Sequence, residues 1–228
     1  GCANGNYIKT HKYINNSWQL VGVNHSSSVS DLACIRFDQA SNPYIAYRDG
    51  GSNNEVTVEM YDGLNWIYVG GLAGISSGTP SERLDMQIDD SNNIYIVYRN
   101  SGIQVEKFDG LVWASLPSVG SGEYASIDFD QNNIPHVAYQ DHGVSPKPVT
   151  IKYYDGSNWI SLGSGATPLV GNPPNGPWNQ IEAPDLSISQ NGSIYVTYFD
   201  IGWGSPASVK TWNDSSWAAK RSSNSLPT

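Results

Sequence analysis

Tyr61-Asp62-Gly63-Leu64-Asn65-Trp66 is the stretch whose reading decides the fold. It sets an aromatic residue, a polar turn and a tryptophan five positions later, and it recurs. Copies stand at Phe108-Asp109-Gly110-Leu111-Val112-Trp113 and Tyr154-Asp155-Gly156-Ser157-Asn158-Trp159. Looser ones stand at Tyr13-Ile14-Asn15-Asn16-Ser17-Trp18 and Trp212-Asn213-Asp214-Ser215-Ser216-Trp217. The tryptophans at 18, 66, 113, 159 and 217 are 48, 47, 46 and 58 residues apart. A fixed period in this range is the mark of a repeat architecture.

Aligned on these tryptophans, each unit shows four short apolar or alternating runs bounded by Gly, Asn, Asp or Pro, the signature of strands. In the first full unit they are 32–38, 44–47, 56–61 and 66–69, named here strands A to D. The later units repeat them at 84–88, 95–98, 103–108 and 113–116, at 125–129, 136–139, 149–154 and 159–162, and at 186–188, 195–198, 209–212 and 217–219. Four antiparallel strands per repeat of this length describe a β-propeller blade. The expectation is therefore an all-β fold in one domain over 1–228. Its blades fall near 23–70, 71–117, 118–163 and 164–220, with a tail at 221–228.

Residues 1–22 align with only the C and D part of a unit. The chain thus carries four full blades plus a half-blade lacking strands A and B. A five-bladed ring follows if those strands come from a chain segment outside the sequence or from a strand-donating partner. The plainer alternative is a four-bladed ring with an extra hairpin. An open half-blade would expose unpaired strand edges, which soluble proteins avoid.

Composition agrees with such a fold: 14 Tyr, 8 Trp and 23 Gly, and only 14% charged residues. Aromatic side chains fill pleated surfaces, and Gly, Asn and Asp supply the turns. The net charge of −9 argues against nucleic acid and against adsorption on anionic lipid. No apolar run is long enough for a transmembrane helix, and no secretory signal is visible. Cys2 and Cys34 form a disulfide in an oxidising compartment, or are two unrelated thiols. A third reading has Cys2 lipidated, but no lipobox precedes it.

Several motifs are excluded or demoted. No His or Cys spacing suits zinc, and no nucleophile elbow or nucleotide loop occurs. No cofactor is indicated. The turns between strands A and B open with Asp38, Asp89 and Asp130, but lack the further acidic positions of a calcium loop and read as Asx-stabilised hairpins. The Asp-Gly-x-x-Trp turns join C to D and read as structural staples. They resemble the Asp-box of sialidase-type propellers, yet Asp and Gly are adjacent here, so no sialidase site is implied. Sequons at Asn15, Asn24, Asn191 and Asn213 matter only in a eukaryotic secretory host.

Counting back from Tyr44, Tyr95, His136 and Tyr195 gives a more useful column. Asp31, Glu82, Glu123 and Glu182 occupy one position, the start of strand A, near the top mouth of the channel. They are candidates to bind a cation, accept from sugar hydroxyls or form an acid/base pair; alternatively each caps loop backbone or faces solvent. Below them Cys34, Asp85, Ser126 and Asp185, then Arg36, Gln87, Asp128 and Ser187, face the channel, with Arg36 expected to pair Asp128 or Asp185. The opposite phase, Ile35, Met86, Ile127 and Leu186, is expected in the core.

The fourth repeat is the longest. Its extra length falls in the connection 163–181, carrying Trp178, while the loop 201–207 carries Trp203. Both belong to the top face with the acidic column, as does His142. Indole rings beside carboxylates suit stacking on sugars and bonding to their hydroxyls. His136 takes the place of a strand-B tyrosine and is expected to be packed. A deep pocket at the bottom face would count against the top-face site.

The pattern Asp-x-x-x-Asn-x-x-Tyr-x-x-Tyr followed by Tyr-Asp-Gly-x-x-Trp resembles the blades of large secreted bacterial propeller proteins. In those, such propellers often serve adhesive or carbohydrate-binding roles. In length and period alone the chain is also similar to five-bladed lectins of the tachylectin type, whose sequence motif it does not match. The resemblance implies a secreted or cell-surface module recognising glycan or an extracellular protein. Two alternatives stand beside it: a glycoside hydrolase using carboxylates at the channel mouth, and a subunit of an extracellular assembly completed by strand donation.

Overall fold

Runs of alternating β-branched and aromatic residues, each closed by an Asx or glycine turn, leave the chain no register but short antiparallel strands. The computed structural model describes residues 7–23, 25, 28–145, 147–163, 181–200, 207–212 and 216–221. Among them the chain forms β1 (His11–Ile14), β2 (Ser17–Leu20), β3 (Ser30–Phe37), β4 (Pro43–Asp49), β5 (Glu55–Tyr61) and β6 (Trp66–Tyr68). Next come β7 (Ser81–Ile88), β8 (Ile94–Arg99), β9 (Ile103–Phe108), β10 (Trp113–Ser115), β11 (Gly122–Phe129) and β12 (Pro135–Asp141). Last are β13 (Val149–Tyr154), β14 (Trp159–Ser161), β15 (Ile181–Ile188), β16 (Ile194–Asp200), β17 (Ala207–Trp212) and β18 (Trp217–Arg221).

They pair as four four-stranded meanders, β3 to β6, β7 to β10, β11 to β14 and β15 to β18, and one two-stranded hairpin, β1 with β2. This is the strand plan of blades, with β1 and β2 in the C and D positions. Hydrogen bonds verify the alignment of the hairpin. Val21 N donates to Thr10 O, as Leu116 N does to Val105 O and Leu162 N to Ile151 O in later repeats.

By internal contacts the chain divides into two compact units. One comprises Gly1–Ile96 with Glu106–Ser115, the other Val97–Val105 with Leu116–Thr228. In the first, Ile45, Ala46, Tyr47, Val56, Val58, Leu84 and Met86 are buried. In the second, Ala138, Val149 and Ile151 of one sheet pack on Leu186, Ile194, Val196 and Tyr198 of the next.

The recurring turn is a staple. Asp62 Oδ1 accepts from the Leu64 and Asn65 amides at 2.8 and 2.7 Å, and Asp109 and Asp155 repeat the arrangement. Gly63, Gly110 and Gly156 adopt φ of 99, 94 and 98° with open space around them, so the backbone conformation selects glycine. Each tryptophan then reaches the repeat before it. Trp66 Nε1 donates to Val21 O and Trp113 Nε1 to Val69 O, both at 2.9 Å, in the first unit; Trp159 Nε1 donates to Pro117 O at 2.8 Å in the second. Half-buried indoles contribute through apolar area and satisfy a carbonyl at the end of the preceding D strand.

The A–B turns are held as expected by their first aspartate. Asp38 accepts from the Ala40 and Asn42 amides and from Asn42 Nδ2. Asp89 does the same with Ser91 and Asn93.

Two expectations fail. Ile35 is not core: it is 41% exposed, whereas Met86 and Ile127 are fully buried and Leu186 is 5% exposed. Leu186 is covered by strands of the preceding sheet, and among the described residues the hairpin before β3 offers no such strands. Arg36 pairs with neither Asp128 nor Asp185; its Nη2 donates to Asp85 Oδ1 at 2.7 Å, the channel-facing residue of the adjacent A strand. Asp128 Oδ2 instead accepts from Ile188 N at 2.6 Å, and Asp185 Oδ1 accepts from Ser126 Oγ at 3.3 Å. His136 is packed as expected, and burial holds its pKa below the ordinary histidine value.

Candidate functional site

The acidic position begins strand A, and there the ladder is irregular. Cys34 faces Ala46 and Arg36 faces Tyr44, yet Asp31 faces Arg48, one residue short of the straight count to Asp49. The same slip separates Glu123 from Ser126 and Glu182 from Asp185. Each slip is a β-bulge with the next residue in left-handed conformation: Leu32, Tyr124 and Ala183 at φ of 52, 56 and 47°. Strained non-glycine residues of this kind cost on the order of 1 kcal/mol each, and a bulge re-aims the side chains beside it. In the second sheet the positive φ falls on Glu82 itself, at 67°, so Glu82 departs from the pattern of the other three.

The re-aimed carboxylates meet cations that the alignment did not single out. In the first unit Arg48 Nε donates to Asp31 Oδ1 at 2.6 Å and Arg48 Nη2 to Oδ2 at 2.5 Å, while Nη1 donates to Pro80 O at 3.0 Å. Asp31 is thus engaged by a guanidinium fork. In the second unit Glu123 Oε1 lies 3.3 Å from Arg99 Nη2 and 3.7 Å from His142 Nε2. His142 Nε2 also lies 3.0 Å from Gln140 Oε1. Gln140 is buried, and Glu123, His142 and Arg99 keep 23, 21 and 32% of their side-chain surface. The His142 amide donates to Ser121 O, which fixes this loop against the start of β11.

Of the seven candidate residues, Glu123 and His142 are brought together. Asp31 belongs to the first unit and forms a separate ion pair. Glu182 lies in β15 opposite Phe199, and its side chain is outside the described residues, as are Trp178 and Trp203. The residues sequence reasoning missed are Arg48, Arg99 and Gln140. They stand at one register position at the end of strand B, a signal readable only once the bulge is counted. Cys34 is a free thiol that burial, then Asp85, pushes up to about 12; Cys2 is outside the described residues.

A cavity of about 470 Å³ does open at the other end of β3, among Thr10, Phe37, Pro43, Tyr61 and Gly63. Among the described residues no candidate lines it. Among the described residues no cluster of His, Cys, Asp and Glu is arranged to hold a metal ion, and no helix is long and apolar enough to cross a membrane.

No family model and no curated protein matches the sequence. Solved structures do resemble the fold. The Aleuria aurantia lectin in complex with Fucα1-6GlcNAc aligns at 14% identity and a TM-score of 0.58, over 96% of this chain and 72% of that one. A protein of unknown function from Dyadobacter fermentans aligns at 13% and 0.57, over 83% and 68%. A thermostable family-43 glycoside hydrolase aligns at 13% and 0.54, over 92% and 84%. The class these likenesses define is a β-propeller-like all-β fold. At such identities they carry the fold and no residue-level role.

Proposed function

We propose that the chain is a secreted or cell-surface carbohydrate-binding module, serving recognition or adhesion through the strand ends that carry Glu123 and His142. The observation that carries this reading is the half-exposed cluster of Glu123, Arg99 and His142 over the buried Gln140. Sugar hydroxyls both donate and accept. A carboxylate acceptor with a guanidinium donor and an imidazole each within 4 Å of it supplies both senses without a metal. Trp178 and Trp203 are proposed as stacking partners. Four sheets and the hairpin are further proposed as one propeller domain over 1–228, four full blades and the C and D half of a fifth.

The glycoside hydrolase reading draws on the same carboxylates, but Asp31 is committed to Arg48 and offers little to a substrate. A glycan array probed with the protein tests the proposal. Binding to a sugar class, weakened at least tenfold by Glu123→Gln and by Trp178→Ala, is expected. Absence of any bound glycan, or hydrolysis lost in Glu82→Gln, Glu123→Gln or Glu182→Gln, overturns it.

A further inference from the structure

Three features of the first unit, none involving a residue of the proposed glycan site, border one opening. The first is the face of β3. Ile35 is 41% and Phe37 61% exposed, while their equivalents in β7, Met86 and Ile88, are fully buried and half-buried. In the second unit the equivalent Leu186 is covered by Ala138, Val149 and Ile151 from strands B and C of the preceding sheet. The repeat itself therefore states what belongs on Ile35: the inner strands of a blade.

The second observation is the edge of β1. In every four-stranded sheet the C strand lies between B and D, but among the described residues β1 pairs with β2 alone. Thr10 O faces β2, where it accepts from Val21 N. Strand alternation then turns the backbone N–H and C=O of His11 and Tyr13 toward the open side. An edge of this kind is a template for another strand.

The third is the space between these surfaces. The cavity of about 470 Å³ and a second of about 280 Å³ are both lined by Thr10, His11 and Ile35; the second also reaches Ala33, Cys34 and Ile45. Edge and apolar face thus border one opening, in the position that strands A and B occupy in the four complete sheets.

We propose that this opening is a socket for a β-hairpin of the chain's own A–B pattern, supplied by a strand-donating partner. The donor's B strand adds antiparallel to β1 through the groups of His11 and Tyr13. Its apolar residues cover Ile35, as Ala138 covers Leu186, and its A strand closes over Phe37. Main-chain pairing supplies affinity and the alternating apolar side chains supply register. Specificity is for a hairpin opening into an Asp-x-x-x-Asn turn, because that turn would meet the Asp38 to Asn42 turn of the first sheet. Adjacent A–B turns already bond in that way, Gln39 Nε2 donating to Asp90 Oδ1 at 3.3 Å.

The test uses a synthetic peptide of residues 81–99, which carries an A–B hairpin of this chain, added to the intact protein. Amide hydrogen exchange and titration are read together. Saturable 1:1 binding is expected, with exchange at His11 and Tyr13 slowed at least tenfold. Both effects should be lost in the Ile35→Glu/Phe37→Glu variant, whose altered side chains are already exposed and whose melting temperature serves as the folding control. Unchanged exchange at His11 and Tyr13 under saturating peptide overturns the proposal. So does protection confined to β8 and β9, or self-association through β1 that the same double variant abolishes, since a second copy would then be the occupant. Glycan binding is read separately and does not depend on the result.

Discussion

Arg48 holds both oxygens of the Asp31 carboxylate, Nε on Oδ1 at 2.6 Å and Nη2 on Oδ2 at 2.5 Å. The pair remains partly open to water, at 28 and 47% of side-chain surface, so solvent screens it. Exposed ion pairs contribute about 0.2–1 kcal/mol. Arg48→Leu should therefore lower stability by no more than about 1 kcal/mol in urea unfolding, less at high salt, and leave glycan binding unchanged. A loss of binding equal to that of Glu123→Gln would place Asp31 and Arg48 in the site.

A buried polar cluster fixes the amino-terminal hairpin. His25 Nδ1 lies 2.6 Å from Glu59 Oε2, and His25 Nε2 lies 2.8 Å from Thr10 Oγ1. Tyr47 donates to the same Glu59 oxygen at 3.3 Å. In the other repeats Val58, Val105 and Ile151 stand at the Thr10 position, so the polar set is peculiar to this junction. His25→Leu would leave the buried Glu59 without its principal partner and should cost roughly 3 kcal/mol. The triple variant Thr10→Val/His25→Leu/Glu59→Gln should recover part of that. A fully additive triple variant would contradict the coupling.

Gly70 and Gly71 separate crowding from backbone strain. Both sit at φ of 77°, but a Cβ on Gly70 would stand 3.0 Å from the Trp113 ring, whereas one on Gly71 would meet nothing. Gly71→Ala should cost about 1 kcal/mol from conformation alone. Gly70→Ala should cost more, because it also pushes Trp113 from its bond to Val69. Equal losses in thermal denaturation would show that the indole yields without cost.

Acid should act at two places with definite sign. Asp62, Asp109 and Asp155 accept from two turn amides each, which holds their carboxyls below the ordinary value of 3.8. Their contribution is present above that value and lost as pH falls through the lower folded one. The stability gap to the triple Asp→Asn variant should hold from neutral pH to about 4 and close below it. A gap unchanged down to pH 2 would contradict this.

His136 behaves differently. Burial favours its neutral form, so the folded state takes up the proton later than the unfolded chain does. Stability is then lost as pH falls below the ordinary histidine value of 6.5, until the folded group itself titrates. His136→Tyr, which installs the residue found at positions 44, 95 and 195, should flatten this slope between pH 7.5 and 5. An identical slope in both proteins would assign the acid sensitivity elsewhere.

Much of the fold was legible because its determinants are local. The Trp spacing located every meander, and the Asp turns and half-repeat followed from turn chemistry and alignment. What escaped was non-local. Ile35 matches Met86 and Leu186 in pattern, but burial depends on the sheet before it, and that sheet has two strands. Arg48 was missed because a straight antiparallel count sets Asp31 against Asp49, and Arg99 because it meets Glu123 from another sheet. Only the bulge at Leu32 shifts the pairing by one, and Leu32 carries no sequence mark of a left-handed residue. Trp178 and Trp203, proposed as stacking partners, lie outside the described residues.

The central claim is that Glu123, with Arg99 and His142, recognises sugar hydroxyls. Its most direct measurement is isothermal titration of the best array ligand into the wild type, Glu123→Gln and His142→Ala, with Arg48→Leu as control. Both site variants should weaken binding at least tenfold at unchanged melting temperature while the control binds as the wild type. Wild-type affinity in Glu123→Gln would contradict the claim.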